Sequence, residues 1–224
     1  LTDVRLAEIS TLLQNQDVST EAARARFQEL LGFAVASGNA AIAANTTDYM
    51  NWLSLARVYA SLVPLKVEGA YESAKPIMEN VRARNPKSPR LVLEDARLEI
   101  AHGAKDEGKK LVAESLRLKN NYTDAIFVLA QLEIDAGNVK GAIASLEQVA
   151  FLSPNDAGLS FQLGILKYNE KEYAGAREAL VRAVQIVPDY ANARYFLGLA
   201  QYELGNAAAA LVEFEAIQKT NPSN

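Results

Sequence analysis

Residues 157–190, AGLSFQLGILKYNEKEYAGAREALVRAVQIVPDY, and residues 191–224, ANARYFLGLAQYELGNAAAALVEFEAIQKTNPSN, align end to end without a gap. Leu163-Gly164 falls on Leu197-Gly198, Ala176 on Ala210, Pro188 on Pro222 and Phe161 on Tyr195. The same 34-residue frame runs back through 123–156 and 89–122. Position 8 of the four segments reads Ala96, Ala130, Gly164 and Gly198, and position 20 reads Gly108, Ala142, Ala176 and Ala210. Position 15 reads Gly103, Gly137, Lys171 and Gly205, and position 32 reads Asn120, Pro154, Pro188 and Pro222. A fixed period of this length predicts a stack of units, each burying its apolar face against its neighbours, rather than one globular core. Function in such a stack belongs to the surface it creates.

Each unit reads as two helices and a turn. In 191–224, Phe196, Leu197, Ala200 and Leu204 recur at the spacing of one helical face. Gly205-Asn206 then breaks the helix, because glycine takes the left-handed conformation that follows a helix end. A second helix carries Ala210, Leu211, Phe214 and Ile217, and Asn221-Pro222 stops it. Unit 157–190 repeats the pattern with Leu163, Leu166, Tyr173, Ala176, Leu180 and Ala183, and unit 123–156 with Leu129, Leu132, Ala142, Leu146 and Val149. The small residues at positions 8 and 20 mark where the paired helices approach most closely, since a large side chain there would force the axes apart.

Residues 49–88 form a fifth unit. Trp52, Leu55, Ala56 and Tyr59 hold positions 4, 7, 8 and 11. Gly69, Tyr71, Ala74, Met78, Val81 and Pro86 fit positions 15, 17, 20, 24, 27 and 32 once six residues are removed near Leu62-Val63-Pro64-Leu65. That insertion is expected to be a length-tolerant loop between the two helices. Residues 1–48 read as a degenerate pair or cap, with helices near 2–15 and 20–37, a short piece to Asp48, and Asn45-Thr46-Thr47-Asp48 at the unit boundary.

As a set, these residues resemble the tetratricopeptide repeat over about 49–224. That family's pattern wants an aromatic at position 4, Leu at 7, a small residue at 8, Tyr at 11, small at 20, aromatic at 24, Ala at 27 and Pro at 32. Trp52, Leu55, Ala56, Tyr59, Ala74 and Pro86 come closest, and Leu163-Gly164 and Leu197-Gly198 match its Leu-Gly pair. Asn120 in place of proline, Asp95 in place of leucine and Lys171 in place of the turn glycine depart from it. The resemblance implies an all-α, right-handed α-solenoid of helix-turn-helix repeats. It also implies a concave wall built from positions 2, 5, 9, 12 and 13 of the first helices. On that wall the candidate groove residues are Leu93, Phe127, Phe161 and Tyr195 at position 5, with Arg97, Gln131, Ile165 and Leu199 at position 9. Ile134, Tyr168 and Tyr202 continue it at position 12. The family's clamp for C-terminal carboxylates uses Lys and Asn there; the Lys–Asn pair is lacking, which argues against that mode. The run from Asn51-Trp52 through Glu68-Gly69-Ala70-Tyr71 to Asn85-Pro86 also resembles repeat arrays on the C-terminus of O-antigen ligase-like bacterial membrane proteins.

Composition sets the remaining bounds. Half of the 224 residues are apolar, and 23 basic against 27 acidic residues give a net charge of −4. No basic stripe of the kind that binds nucleic acid is present; the locally basic stretch 82–119 reads as a solvated face with opposite-charge pairs. With no cysteine and one histidine, His102, neither thiolate chemistry nor a histidine metal set is available. His102 ends a first helix, where a capping or solvated role is expected. No phosphate-binding glycine loop or nucleophile triad can be assembled, and Glu94-Asp95 and Asp106-Glu107 adjoin one another instead of facing across a cleft. The chain starts at Leu1 without a leader or membrane-length apolar run, so it reads as a piece of a longer protein whose compartment stays unassigned.

The expectation is therefore a non-catalytic scaffold, without cofactor, that binds a peptide segment or helix of a protein partner in its groove. The alternatives are a soluble accessory domain of a membrane glycan-assembly protein and an oligomerisation module using the last repeat.

Overall fold

The structure, a computed structural model, describes residues 21–220. It is all-α. Among the described residues there are eleven helices: α1 (Glu21–Ala44), α2 (Tyr49–Ala60), α3 (Ala70–Arg84), α4 (Pro89–His102), α5 (Lys105–Leu118), α6 (Thr123–Asp135), α7 (Val139–Leu152), α8 (Ala157–Asn169), α9 (Tyr173–Ile186), α10 (Ala191–Glu203) and α11 (Ala207–Thr220). The chain divides into two compact units, Leu1–Asn120 and Asn121–Asn224.

Local chemistry sets the helix ends. Side-chain oxygens of Ser88, Asn138 and Asp156 accept from the backbone N–H of Leu91, Gly141 and Leu159, supplying partners that a helix N-terminus lacks. Gly103, Gly137 and Gly205 close first helices in the left-handed region, at φ 98°, 75° and 81°. Lys171 does the same at φ 63°, so the turn survives without its glycine. Helix α5 also ends at Leu118, two residues before Asn120, although the proline is missing there.

In the first unit, α2 packs on both α1 and α3, α3 on α4, and α4 on α5. The core joins Leu53, Ala56, Ala74, Met78, Val81, Leu91 and Leu98. Two corrections to the sequence reading arise here. The expected helix 20–37 continues to Ala44, because Gly38 is buried against Leu55 within it and does not end it. The inserted segment is not a simple loop: Leu62 and Val63 are buried in the same core, held by turns in which Leu62 N–H bonds Tyr59 O and Leu65 N–H bonds Leu62 O. The expected helix 2–15 lies outside the described residues. The Asn45–Asp48 segment is the turn between α1 and α2. Asn45 Oδ1 accepts from the Thr47 and Asp48 N–H groups, and Trp52 Nε1 donates to Thr46 O at 3.0 Å.

The second unit repeats the pairing: α6 with α7, α8 with α9, α10 with α11, and α7 on α8 and α9 on α10 between pairs. Part of its core is Ala176, Leu180, Ala183, Ala193, Leu197 and Ala200. Positions 8 and 24 meet in the α8–α9 and α10–α11 pairs, since a Cβ added to Gly164 would stand 2.5 Å from Leu180 and one added to Gly198 would stand 2.6 Å from Phe214. The small residues are there because the partner helix occupies the space.

Candidate interaction surfaces

Helical periodicity puts positions 2, 5, 9, 12 and 13 on one side of each first helix. In the second unit that side belongs to α6, α8 and α10. Position 5 supplies Phe127, 41 % exposed, Phe161, half-buried, and Tyr195, 50 % exposed. Position 12 supplies Ile134 and Tyr168, both half-buried, and Tyr202, 65 % exposed. Ile165 and Leu199 are half-buried at position 9, and Gln131 is exposed, with its amide donating to Asp135 at 3.1 Å.

Phe196 organises these rings. Its centroid lies 6.1 Å from Phe161, 5.9 Å from Tyr168 and 5.6 Å from Tyr195, each in edge-to-face geometry. Tyr190 backs Phe161 at 4.9 Å, Tyr173 backs Tyr168 at 5.4 Å and Phe214 backs Tyr195 at 6.0 Å. Phe161 and Tyr168 are therefore partly core, whereas Tyr195 is half open to solvent and Tyr202 mostly so. Burial first, then the nearby Glu203 carboxylate, pushes the Tyr168 hydroxyl above its ordinary range, so it stays a neutral donor at any physiological pH. Sequence reasoning placed five of these aromatics on the wall, read Phe196 and Phe214 at positions 6 and 24 only as apolar-face residues of their helices, and did not single out Tyr190 at position 34.

The first unit is built differently. Leu93 is 1 % exposed, so it packs in the core and cannot present itself to a partner, which corrects its assignment to the groove. Arg97 is exposed, and Arg57 is paired with Glu94. Asp95, 1 % exposed at the usual leucine position, is held by Lys75 at 3.1 Å and Arg82 at 2.7 Å. Lys75 also meets Glu99 at 2.7 Å, and Arg82 meets Glu114 at 3.1 Å. Burial works to lower the Lys75 ammonium, but Glu99 and Asp95 outweigh it and raise it above its ordinary value. Tyr71 is pushed up by burial and by its hydrogen bond to Glu99 at 3.0 Å. His102 is not merely a solvated cap: its ring stacks on Tyr71 with centroids 3.6 Å apart and planes 10° from parallel. The pair forms one wall of a cleft of about 330 Å³ whose other wall is the inserted Val63, Pro64 and Val67.

Among the described residues no group of three or more His, Cys, Asp or Glu side chains could hold a metal ion. No described helix is long and apolar enough to cross a membrane.

Helix pairs in a constant register, with small residues at each crossing and left-handed turns between the helices, define an α-solenoid repeat protein. Residues 166–205 match the family described as TPR repeat. The fold is that of YrrB, described as a TPR protein with an unusual peptide-binding site, at 19% identity and TM-score 0.63, covering 84% of this chain and 93% of YrrB. It is also that of MamA, at 18% identity and TM-score 0.59, covering 75% of this chain and 92% of MamA. MamA from residue 41 to its end, from Desulfovibrio magneticus RS-1, matches at 19% identity and TM-score 0.59, covering 75% of this chain and 96% of that one. No curated protein matches the chain in sequence.

Proposed function

We propose that this chain is a protein-interaction scaffold that takes a peptide segment or helix along the aromatic wall of α6, α8 and α10. The observation that carries the reading is the exposure of three rings on one face, Phe127 at 41 %, Tyr195 at 50 % and Tyr202 at 65 %, beside the half-buried Phe161 and Tyr168. Exposed aromatic rings supply contact area at little entropic cost, and residues of this type dominate binding energy. The peptide-binding site in the description of YrrB supports the same use of the fold. No catalytic role is assigned to any side chain.

The test is a random peptide library displayed to the intact chain, with the double variant Tyr195→Ala, Tyr202→Ala as counter-target. The double variant should weaken recovered binders by at least about 2 kcal/mol while the chain stays folded, with a modest fall in melting temperature from the lost Tyr195 contacts to Phe196 and Phe214. Binders indifferent to both tyrosines would remove the wall from consideration. A second reading, a homotypic contact through α11, is favoured by Leu211 and Val212, 57 % and 60 % exposed on that helix. Sedimentation velocity at several concentrations decides it, since a mass independent of concentration excludes the contact.

A further inference from the structure

The wall has a charge as well as a texture. Its fifteen positions on α6, α8 and α10 hold three carboxylates, Asp124, Asp135 and Glu203, and no lysine or arginine. These three helices contain only two cations, both placed off the wall and both neutralised. Lys167 Nζ lies 2.6 Å from Glu147 Oε1. Arg194 Nη1 lies 2.6 Å from Glu213 Oε2, and its Nε donates to Pro188 O at 2.7 Å. Asp124 and Glu203 form no ion pair with any described residue. Glu203 sits near enough to Tyr168 to act on its hydroxyl, so the acidic group and the rings share one surface. The equivalent positions of α2 and α4 hold Arg57, Arg90 and Arg97 and no carboxylate, so acidity belongs to the second unit rather than to the repeat.

We infer that the wall of α6, α8 and α10 selects a cationic peptide segment, with arginine as the preferred anchor. The inference rests on the scaffold reading above and adds the chemistry of the occupant. A guanidinium stacks flat on a tyrosine ring and donates to a carboxylate with its edge, and this surface offers both partners together. An acidic segment would meet Asp124, Asp135 and Glu203 with no cation to receive it, a juxtaposition that costs binding. Lysine would keep the charge but lose the planar stack and the paired hydrogen bonds.

The test uses short fluorescent peptides of one length on a Gly-Ser background, carrying arginine, lysine, glutamate or leucine at the same places, titrated into the intact chain by anisotropy. The arginine peptide should bind at least about tenfold more tightly than the glutamate peptide. It should also bind more tightly than the lysine peptide. Asp124→Asn with Glu203→Gln should remove most of that preference, leave leucine-peptide binding unchanged and leave the melting curve in place. Glu178→Gln, on the second helix α9, is the control for the overall negative field; an equal loss there would overturn the inference, because the preference would then be long-range and unspecific. If the leucine peptide binds through Tyr195 and Tyr202 while arginine and glutamate peptides bind alike, the cationic preference falls and the scaffold stands. If no peptide responds to loss of the two tyrosines, the scaffold reading falls as well.

Discussion

Lys171 occupies a glycine's place at a glycine's backbone angle. Its φ of 63° matches the turn at Gly103, Gly137 and Gly205, and a side chain there brings Cβ close to the following carbonyl. Lys171→Gly should stabilise the chain by about 1 kcal/mol, the relieved strain less the added freedom of the unfolded chain. A thermal melt checks it, and a lowered melting temperature would show the turn to be unstrained. Gly164 presents the opposite case. A methyl group there would meet fully buried Leu180, so Gly164→Ala should cost about 1–3 kcal/mol despite alanine's better helix propensity. Gly32 lies in α1 with open space around it, and Gly32→Ala should gain about 0.5–1 kcal/mol. The pair of measurements separates a packing glycine from an incidental one. The packing glycines Gly164 and Gly198, and the turn glycine missing at Lys171, were legible from the period alone. Asp95 was legible only as an exception. Its partners Lys75 and Arg82 are on another helix, 20 and 13 residues away, and pairing across helices leaves no mark in a repeat register.

At the scale of elements, the inserted segment between α2 and α3 shows where the register misleads. Counting residues marks the insertion correctly, but a count cannot distinguish a loop that leaves the surface from one that turns back into it. Leu62 and Val63 face the core, while Leu65 is 44 % exposed. Leu62→Ala should therefore cost about 2–5 kcal/mol and Leu65→Ala almost nothing, as denaturant unfolding would read. Similar losses at both sites would contradict the buried turn. The α3–α4 contact carries a second expectation. Tyr71 and Lys75 hold their protons more tightly in the folded chain than at their ordinary values of 10.0 and 10.5. The stability they contribute is then complete below those values and is lost as pH rises through and beyond them. Melting temperature should fall across that alkaline range, and Tyr71→Phe should flatten part of the fall. A parallel fall in the variant would assign it to other groups. The candidate wall shows the same division of legibility. Residues 34 apart identified its rungs, yet Tyr168 and Tyr202 share a position and differ in exposure because Phe196 and Tyr173 close over Tyr168.

For the whole chain, stability in a repeat array is a sum of intrinsic helix terms and interfaces with neighbours, so it is uneven by construction. Helix α9 packs on α8 on one side and α10 on the other, and buries Ala176, Ala179, Leu180 and Ala183. Helix α11 packs chiefly on α10, and between Ala207 and Lys219 only Ala210 is buried. Each fully buried aliphatic side chain is worth about 1.5–3 kcal/mol relative to exposure, so the deficit at α11 amounts to more than one such residue. Local opening of α11 is then easier than opening of α9, without any need to unfold the rest. In native-state hydrogen exchange on the intact chain, amides of Ala207–Thr220 should exchange at least about tenfold faster than those of Tyr173–Ile186. The comparison should hold in the Tyr195→Ala, Tyr202→Ala variant, whose substitutions lie on α10 and remove little buried area from α9. Equal protection of α9 and α11 would mean that something other than α10 covers the exposed Leu211 and Val212. The homotypic contact would then be the first explanation to test, by repeating the exchange at lower protein concentration and looking for the protection to disappear.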